Sequence, residues 1–381
     1  MNICYWAPFT SKVATIMAVI NSAESLIKFS NNKIKATIIN AFGEWVNHQK
    51  DINDKKIIFL SLSKFNFSKF LFCTGYIKSR LAYLFIYLYS FFPLLFFLKK
   101  YKPNFLIVHL LTSLPLTLLL IFNFETKFIL RISGRPKLNF CRKFFWRLVS
   151  KKLYKITFPT FETYNHFLES NIFDKNQMLV VHDPIIDIER IRMNKKEIIL
   201  ESNIIKSKYI LSVGRFTNQK NFDFLINCFC KISKEFKDLN LIIIGEGEKS
   251  NYYKKLILAN NLEKRIYVFG YKKNIFNYMN KASCFVSTSL WEDPGFVIVE
   301  AAALNLSVIS SDCSSGPKEI LLNGRAGYLF KSNDSDNFIK IFREFYLEDK
   351  ELNYKKLVLA KKNSINFTKL RHYNVIKKIL H

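Results

Sequence analysis

The chain has 381 residues, a length that accommodates two domains with sizeable hydrophobic cores. Hydrophobic residues make up 49% of the chain, and the seven cysteines show no Cys-x-x-Cys spacing. This composition excludes a disordered chain, a disulfide scaffold and a zinc site, and it favours reduced thiols in the cytosol. The net charge of +28 favours partners that carry phosphate groups or anionic lipids.

Short apolar runs alternate with helix-like segments, which predicts an α/β protein with two doubly wound units. The first strand begins directly after the initiator, so we expect no signal peptide and a cytoplasmic location. The predicted strands of the first unit are Asn2–Trp6, Lys35–Asn40, Lys56–Leu60, Phe105–His109, Phe128–Ile132, Lys155–Phe158 and Met178–Val181. The predicted divisions are residues 1–183 for the N-terminal unit, 184–207 for a linker, 208–365 for the C-terminal unit and 366–381 for a final helix.

Two apolar stretches, Leu81–Leu98 and Phe105–Phe124, are long enough to cross a bilayer. A single span would place two strands of one predicted sheet on opposite sides of the membrane. The second stretch also has the length and punctuation of a buried parallel strand followed by a buried helix. Three alternatives remain open for residues 81–124: core, an interfacial helix at Tyr76–Leu98 lying on lipid, or a membrane hairpin.

The segment Lys127–Lys155 contains ten lysines and arginines and no acidic residue. Such a surface attracts phosphates of a lipid, a polyprenyl diphosphate or a nucleic acid, although charge runs are often plain solvated helix faces. We predict a membrane-facing or acceptor-facing surface here. Its candidate residues are Arg131, Arg135, Arg142, Lys143 and Arg147.

Two glutamates of the stretch Trp291–Ala302, Glu292 and Glu300, are eight residues apart and separated by a Pro-Gly break and an apolar run. Pro294 suits the first position of a helix, where its missing N–H is not needed. Glu292 is then predicted in the loop before the helix, and Glu300 about two turns inside it. The backbone N–H groups of such a helix end favour a bound diphosphate.

These glutamates resemble the Glu-x7-Glu signature of retaining, nucleotide-sugar-dependent glycosyltransferases of the GT-B fold, the glycosyltransferase group 1 family. Further segments in the family's order strengthen the resemblance over residues 208–330, whereas the first half of the chain matches only loosely. They are Ile210–Phe216 with Gln219-Lys220-Asn221, Leu241–Gly247, Val268–Gly270, and Ser310–Ile320 with Asn323–Phe330.

The resemblance implies two Rossmann-like domains facing a cleft, with the last helix crossing back to the first domain. It implies that Arg215 and Lys220 stabilise charge on the departing diphosphate. Glu300 would accept hydrogen bonds from the ribose hydroxyls, and Glu292 would hold hydroxyls of the donor sugar. The other implied site residues are Gly214, the backbone N–H groups of Gly295, Phe296 and Val297, and His109 near the donor sugar.

The first loop, Ala7–Val13, departs from the family pattern because it contains no glycine where the family usually has a pair. Its backbone cannot approach phosphates as closely, so we expect the side chains of Thr10, Ser11 or Lys12 to substitute. The segment Ser310–Ile320 looks most like bacterial members that add hexose or N-acetylhexosamine to lipid-linked glycans. The resemblance therefore implies a nucleotide-sugar donor, UDP more than GDP, and a polyprenyl-diphosphate-linked acceptor. From the basic segment Lys127–Lys155 and the apolar Tyr76–Leu98 we predict a peripheral position on the inner face of the cytoplasmic membrane, and we expect no nucleic-acid partner.

Two rival functions are a glycosidase or phosphorylase-like enzyme that uses Glu292 and Glu300, and a non-catalytic basic protein that binds nucleic acid. The first leaves Arg215 and Lys220 unexplained. The second requires exposed aromatics along a basic stripe, whereas the aromatics here lie in apolar runs. We expect no Asp-x-Asp metal-binding pair and no cofactor, with Arg215 and Lys220 in place of a cation.

Overall fold

The computed structural model describes residues 1–11, 13–71, 76–199 and 207–380. The chain divides into two units, one formed by Met1–Pro184 together with the residues from Lys369 onward, the other by Ile185–Thr368. Each unit is built on one sheet whose paired strands all run parallel. The two predicted doubly wound α/β units are confirmed.

The first sheet has seven strands, each within two residues of its predicted position. They are β1 (Asn2–Trp6), β2 (Lys35–Asn40), β3 (Ile58–Ser61), β4 (Phe105–Val108), β5 (Lys127–Arg131), β6 (Lys155–Phe158) and β7 (Met178–Val180). Their order across the sheet is β3-β2-β1-β4-β5-β6-β7. Side chains alternate between two cores, with Ile3 and Tyr5 of β1 in one and Cys4 and Trp6 in the other.

Helices cover both faces of the first sheet. They are α1 (Thr15–Phe29), α2 (Gln49–Asp54), α3 (Ser68–Leu71), α4 (Tyr76–Tyr101), α5 (Ser113–Ile121), α6 (Phe140–Ser150) and α7 (Phe161–Glu169). Side chains of α1 belong to the core that contains Ile3 and Tyr5, and side chains of α4, α5 and α6 belong to the core that contains Cys4 and Trp6.

The second apolar stretch forms β4 and α5, as predicted. All four β4 residues are buried, and β4 pairs with β1 and β5 inside the sheet. A segment in the middle of a sheet cannot also cross a membrane, which excludes the membrane hairpin.

The first apolar stretch lies in α4, which is apolar on two opposite faces. Among the described residues one helix, Lys78–Tyr101, is long and apolar enough to cross a membrane. Five of its buried side chains recur every four residues, namely Ala82, Ile86, Ser90, Leu94 and Leu98, and Leu95 and Phe97 are buried beside them. Between them, Leu84, Leu88, Phe92 and Phe96 are 55–64% exposed. The helix is therefore anchored in the core on one face and open on the other.

The second sheet has six strands in the order β10-β9-β8-β11-β12-β13. They are β8 (Lys208–Val213), β9 (Leu239–Ile244), β10 (Ile266–Phe269), β11 (Cys284–Ser287), β12 (Val308–Ser311) and β13 (Tyr328–Phe330). The central strands are almost wholly buried, as continuous apolar runs in parallel sheets are. The helices of this unit are α8 (Ile188–Asn194), α9 (Phe222–Glu235), α10 (Ser250–Ala259), α11 (Phe276–Met279), α12 (Phe296–Ala303), α13 (Pro317–Ile320), α14 (Ser335–Leu347) and α15 (Lys350–Ser364).

The last helix, α16 (Lys369–Leu380), returns to the first unit and packs against α1. Ile376, Ile379 and Leu380 join the core that α1 covers. A buried hydrogen bond of 2.8 Å links Nε2 of His372 to Oγ of Ser22 in α1. The predicted return of the C-terminal helix to the first unit is confirmed.

Candidate active site

The turn after β8 is shaped so that Lys220 can fold back over it. Gly214 donates its N–H to the Ile244 carbonyl at 3.0 Å, which ties the turn to the end of β9. A Cβ atom at Gly214 would lie 3.1 Å from the side-chain carbons of Lys220. Because glycine has no side chain, the space beside Gly214 is open for the side chain of Lys220.

Lys220 and Glu292 form a largely buried ion pair. Nζ of Lys220 donates to Oε1 of Glu292 at 2.6 Å, and the two side chains are only 17% and 6% exposed. Oγ of Ser289 donates to the same carboxylate oxygen, also at 2.6 Å. The sequence did not reveal the contact of Ser289, because a serine at the end of a strand carries no motif of its own.

Arg215 lies beside this pair but is exposed. Its Nη2 is 3.4 Å from Oε1 of Gln219, and Nε2 of Gln219 donates to the Trp291 carbonyl at 2.9 Å. Gln219 thus joins the turn after β8 to the loop that carries Glu292. The structure brings Lys220 into contact with Glu292 and links Arg215 to the loop of Glu292 through Gln219, whereas the roles predicted for these residues stay predictions.

The helix that carries Glu300 begins later than predicted. Gly295 occupies the N-cap of α12 in a left-handed conformation, with φ of 95°, so Pro294 precedes the helix instead of opening it. Glu300 is consequently about one turn inside the helix rather than two. The N–H groups of the first turn, among them those of Phe296 and Val297, are the ones for which an α-helix offers no internal acceptor.

Gly316 allows the segment Ser310–Ile320 to pack against the turn that precedes α12. Its φ is 132°, and a Cβ atom there would lie 1.9 Å from the Pro294 carbonyl oxygen, so any side chain would collide with the backbone. The N–H of Glu292 donates to the Ser314 carbonyl at 3.1 Å. The segments around Glu292 and Gly316 therefore form one structure at the N-terminus of α12.

The carboxyl of Glu300 has a pKa close to neutral pH. Desolvation by burial raises the pKa of its carboxyl to about 7, and the charge of Arg190 from α8 opposes that shift. Once ionised, this carboxylate can accept two hydrogen bonds from a diol.

His109 directly follows β4 in the first unit. The backbone N–H of His109 donates to the Trp6 carbonyl at 2.7 Å. In its side chain, Nδ1 lies 3.3 Å from Oγ of Ser133. Burial, with further contributions from Arg131 and His372, holds the pKa of His109 well below its ordinary value. The imidazole is therefore neutral at pH 7 and offers a hydrogen bond rather than a charge.

The loop after β1 places Thr10 and Ser11 on the wall of a cavity in the first unit. Thr10 is buried and Ser11 is exposed. Lys12, the third candidate of this loop, lies outside the described residues.

The basic segment is only partly a surface. Arg131 is 4% exposed, and its guanidinium donates to Oδ1 of Asp183 at 2.7 Å and to the Val181 carbonyl at 2.6 Å. Arg131 therefore does not lie on an open membrane-facing surface, because a carboxylate 52 residues away pairs with it inside the unit, whereas its predicted place at the acceptor stays a prediction. The remaining candidates, Arg135 in the loop after β5 and Arg142, Lys143 and Arg147 on α6, keep at least part of their surface open.

One Asp-x-Asp pair does occur, contrary to expectation, at Asp334 and Asp336. The carboxylate of Asp334 caps α14 by accepting the N–H of Asn337 at 3.0 Å, and Asp336 lies 3.7 Å from Lys231. In the described ranges, no group of three or more His, Cys, Asp or Glu side chains could hold a metal ion. Helix capping accounts for the pair.

The chain is similar to known glycosyltransferases. Residues 194–361 match the model of the family described as glycosyl transferases group 1. An uncharacterized glycosyltransferase of Methanocaldococcus jannaschii is 28% identical over 327 residues, which cover 81% of this chain and 77% of that protein. The 4-alpha-N-acetylgalactosaminyltransferase of Campylobacter jejuni, which acts on a sugar-diphospho-undecaprenol, is 26% identical over 60% of this chain and 63% of its own length.

Solved structures share the fold. A glycosyltransferase of Rickettsia africae superposes with a TM-score of 0.75 at 17% identity, covering 100% of this chain and 98% of its own. Anabaena HepE, solved with UDP and glucose, gives 0.72 at 13% identity, covering 100% and 99%. The match assigns residues 194–361 to the glycosyl transferases group 1 family, whose members are retaining glycosyltransferases, and the two parallel α/β sheets with the returning C-terminal helix are the GT-B fold.

Proposed function

We propose that the protein transfers a hexose or N-acetylhexosamine from a nucleotide sugar, UDP more than GDP, to a lipid-linked glycan in bacterial surface polysaccharide biosynthesis, including lipopolysaccharide or capsule. The observation that carries this proposal is the buried pair of Lys220 and Glu292 beside Arg215 at the N-terminus of α12. These residues combine fixed positive charge with oriented hydrogen-bond groups, which the departure of a diphosphate requires.

In the proposed reaction the bond between the anomeric carbon and the phosphate oxygen breaks, and the diphosphate leaves with the electron pair. Arg215 and Lys220 stabilise the charge on that diphosphate, together with the N–H groups of Phe296 and Val297. The acceptor hydroxyl forms the new glycosidic bond on the face that the diphosphate leaves, and its proton passes to the departing phosphate oxygen. Oε1 of Glu292 is held by Lys220 and Ser289, which leaves Oε2 to accept a hydrogen bond from a donor-sugar hydroxyl.

Glu300 is proposed to accept the two ribose hydroxyls, and Gly214 and Gly295 to let the donor approach the backbone closely. His109, neutral and buried after β4, is proposed to donate one hydrogen bond to the donor sugar. Arg215 and Lys220 supply positive charge without a metal ion in this proposal.

Relatives support the donor and acceptor classes. The Campylobacter enzyme's name specifies a diphospho-undecaprenol acceptor. An Escherichia coli relative, 31% identical over 44% of this chain, is named as a UDP-Gal:alpha-D-GlcNAc-diphosphoundecaprenol galactosyltransferase. HepE was solved with UDP and glucose.

We also propose that the protein binds the inner face of the cytoplasmic membrane peripherally. The open face of α4 and the exposed Phe140, Phe144 and Leu148 of α6 supply apolar surface, and α5 contacts both helices. Lys143 and Arg147 of α6 supply charge for anionic headgroups.

A donor screen tests the transferase. Purified protein is incubated with UDP- and GDP-linked hexoses and N-acetylhexosamines and a sugar-diphosphate-isoprenoid acceptor, and products are identified by mass. We expect one donor to add a single sugar residue to the acceptor, and the Lys220→Ala variant to form far less product. Hydrolysis of a glycan without any transfer would favour a glycosidase. Thermal stabilisation by an oligonucleotide but by neither UDP nor GDP would favour nucleic-acid binding.

A further inference from the structure

Thr288 is the first residue after β11, and its side chain bonds to the turn that carries Lys220. Its Oγ1 donates to the Lys220 carbonyl at 3.0 Å and to the Asn221 carbonyl at 3.1 Å. The residue is only 2% exposed. A threonine hydroxyl carries one proton, so the two carbonyl oxygens share it. Thr288 therefore holds the backbone on both sides of Asn221.

The backbone at Asn221 is of a kind that depends on its surroundings. Its φ is 53° and its ψ is 42°, a left-handed conformation that costs free energy for residues other than glycine, although less for asparagine than for most. The Asn221 carbonyl also accepts the N–H of Leu225 at 3.4 Å, in the first turn of α9. The hydroxyl of Thr288 thus bonds to the chain where it turns into α9, directly after Lys220.

The other contacts of Lys220 are made by its side chain. The aliphatic carbons lie beside Gly214, and Nζ donates to Oε1 of Glu292 at 2.6 Å. Thr288 instead contacts the backbone from which this side chain starts. A change at Thr288 therefore affects the position of the lysine without removing its charge or its carboxylate partner.

The position of the ammonium group matters for the proposed reaction. A cation stabilises a departing diphosphate only where the negative charge develops, and a displacement of about 1 Å can lower a rate by about a hundredfold. The side chain of lysine is a flexible four-carbon stem, so it does not place its own charge. The backbone and the neighbouring groups have to do so.

We infer that Thr288 is a positioning residue, which fixes the backbone of Lys220 and thereby the place of its ammonium group. This inference rests on the proposed function for the role of Lys220. Thr288 acts through the lysine and contacts neither the donor nor the acceptor.

Thr288→Val keeps the shape of the side chain and removes its hydroxyl. We expect kcat to fall by about tenfold and the affinity for UDP, measured by calorimetry, to fall by about threefold, because the cation no longer lies where the diphosphate needs it. Affinity for uridine, which has no phosphate, should not change. Thr288→Ser keeps the hydroxyl and should return kcat and UDP affinity to within about twofold of the wild type.

The turn itself should stay folded in Thr288→Val. The N–H of Leu290 donates to the Gln219 carbonyl at 2.8 Å, and this backbone bond remains in the variant. Circular dichroism and thermal melting measure the folded fraction at the temperature of the assay. Rates and affinities are then compared for equal amounts of folded protein.

Ser212→Ala is the matched control for stability. Ser212 lies on β8 and is 1% exposed, and its Oγ donates to the Val286 carbonyl at 2.6 Å within the same sheet. The control and Thr288→Val each remove a buried hydroxyl that donates to the backbone, so both should lower the urea midpoint. Ser212→Ala should keep kcat and UDP affinity within about twofold of the wild type. Equal losses of activity in the two variants would overturn the inference.

A double-mutant cycle separates positioning from a purely structural effect. In Lys220→Ala there is no ammonium group to place, so adding Thr288→Val should change kcat and UDP affinity by less than about twofold. A further loss of about tenfold in kcat in this background would show that Thr288 acts independently of the lysine, and would overturn the inference.

Failure of the inference and failure of the proposed function give different results. Wild-type turnover and UDP affinity in Lys220→Ala would remove the proposed role of that lysine, and the inference with it. Impaired Lys220→Ala together with wild-type Thr288→Val would remove only the positioning role. The calorimetric part of the cycle needs no acceptor, so it decides the inference even if the proposed acceptor is wrong.

Discussion

At the scale of single residues, the two cations assigned to the diphosphate differ in what they do for the fold. Arg215 is exposed, whereas Lys220 is paired with Glu292 away from water. Breaking a buried pair leaves an uncompensated charge, whereas an exposed arginine contributes little to stability. Replacing Lys220 is therefore expected to destabilise the fold, whereas replacing Arg215 is not.

We expect Arg215→Ala and Lys220→Ala each to lower kcat by on the order of a hundredfold, the effect of losing one oriented charge-stabilising group. Arg215→Ala should leave the free energy of unfolding nearly unchanged. Lys220→Ala should lower it by about 3–5 kcal/mol, since Glu292 stays buried without its cation. Steady-state kinetics and urea denaturation provide the two measurements.

Two variants control the stability effect. Lys231→Ala breaks an exposed pair with Asp336, whose side chains are 61% and 91% exposed, so its urea midpoint should barely move. Lys220→Met with Glu292→Gln removes both charges and should recover most of the stability while remaining inactive. Equal unfolding free energies for Lys220→Ala and the wild type would contradict the buried pair.

Glu300 predicts a pH dependence of donor binding. Because its pKa is raised to about 7, the carboxyl is largely protonated at pH 6 and ionised at pH 8. The neutral acid accepts hydrogen bonds from the ribose more weakly, so affinity for the nucleotide sugar should fall by up to about tenfold from pH 8 to pH 6. Calorimetric titrations at both pH values measure this, and the dependence should disappear in Glu300→Gln.

The raised pKa of Glu300 has the opposite effect on stability, since it favours the folded state at low pH rather than at high pH. A carboxyl whose pKa rises from 4.5 to about 7 in the folded state binds its proton more tightly there. Its contribution to stability is complete below about pH 4.5 and is lost as the pH rises through about 7. Donor binding that is strongest at pH 6 would contradict the assigned role of Glu300.

At the scale of elements, α4 and α6 share one pattern: a face packed into the core and an apolar face left open. On α6 the exposed Phe140, Phe144 and Leu148 recur every four residues, with basic residues between them. This combination of apolar and basic side chains is typical of helices that lie in a membrane interface.

We expect binding to anionic vesicles that weakens as salt is added, because charge attraction is screened within about 8 Å at physiological ionic strength. Changing Arg142, Lys143 and Arg147 to Glu should weaken binding by about a hundredfold or more at low salt, at roughly 1 kcal/mol for each basic residue lost. Vesicle sedimentation measures the effect. Lys254→Glu with Lys255→Glu on α10, exposed in the second unit, should leave binding largely unchanged.

The open face of α4 predicts how firmly the protein is held. Leu88→Ser with Phe92→Ser should reduce vesicle binding even at low salt, because it removes apolar side chains that enter the interface. Washing membranes with alkaline carbonate should release the wild-type protein, since α4 also supplies Ile86, Leu94 and Leu98 to the core. Protein that stays in the pellet after this wash would instead indicate a transmembrane segment.

At the scale of the whole molecule, the family predicts the stereochemical outcome. Members of this retaining family give products with the anomeric configuration of the donor, so the new linkage should match the nucleotide sugar. Proton NMR of the purified product, through its anomeric coupling constant, decides the configuration. An inverted linkage would contradict the assignment of Arg215, Lys220, Glu292 and Glu300 to a retaining site.

The sequence by itself determined most of the fold. Runs such as Phe105–Val108 and Leu241–Ile244 are continuously apolar and bounded by polar or glycine residues, and this pattern is typical of strands buried on both faces. The stretch Trp291–Ala302 also placed Glu292 in a loop and Glu300 on the following helix. The start of that helix was missed, because the preference of proline for the first helical position is local and Gly295 takes the cap.

Only the tertiary structure decided which charges are free and which apolar faces are covered. Arg131 and Asp183 are 52 residues apart in the chain, and Lys220 and Glu292 are 72 apart, so no local pattern could pair them. The helix α4 is apolar on every side, so its sequence carried no period to separate the core face from the open face. Which ion pairs form and which helix faces are buried depend on how distant segments pack against each other, and the local order of residues does not determine that packing.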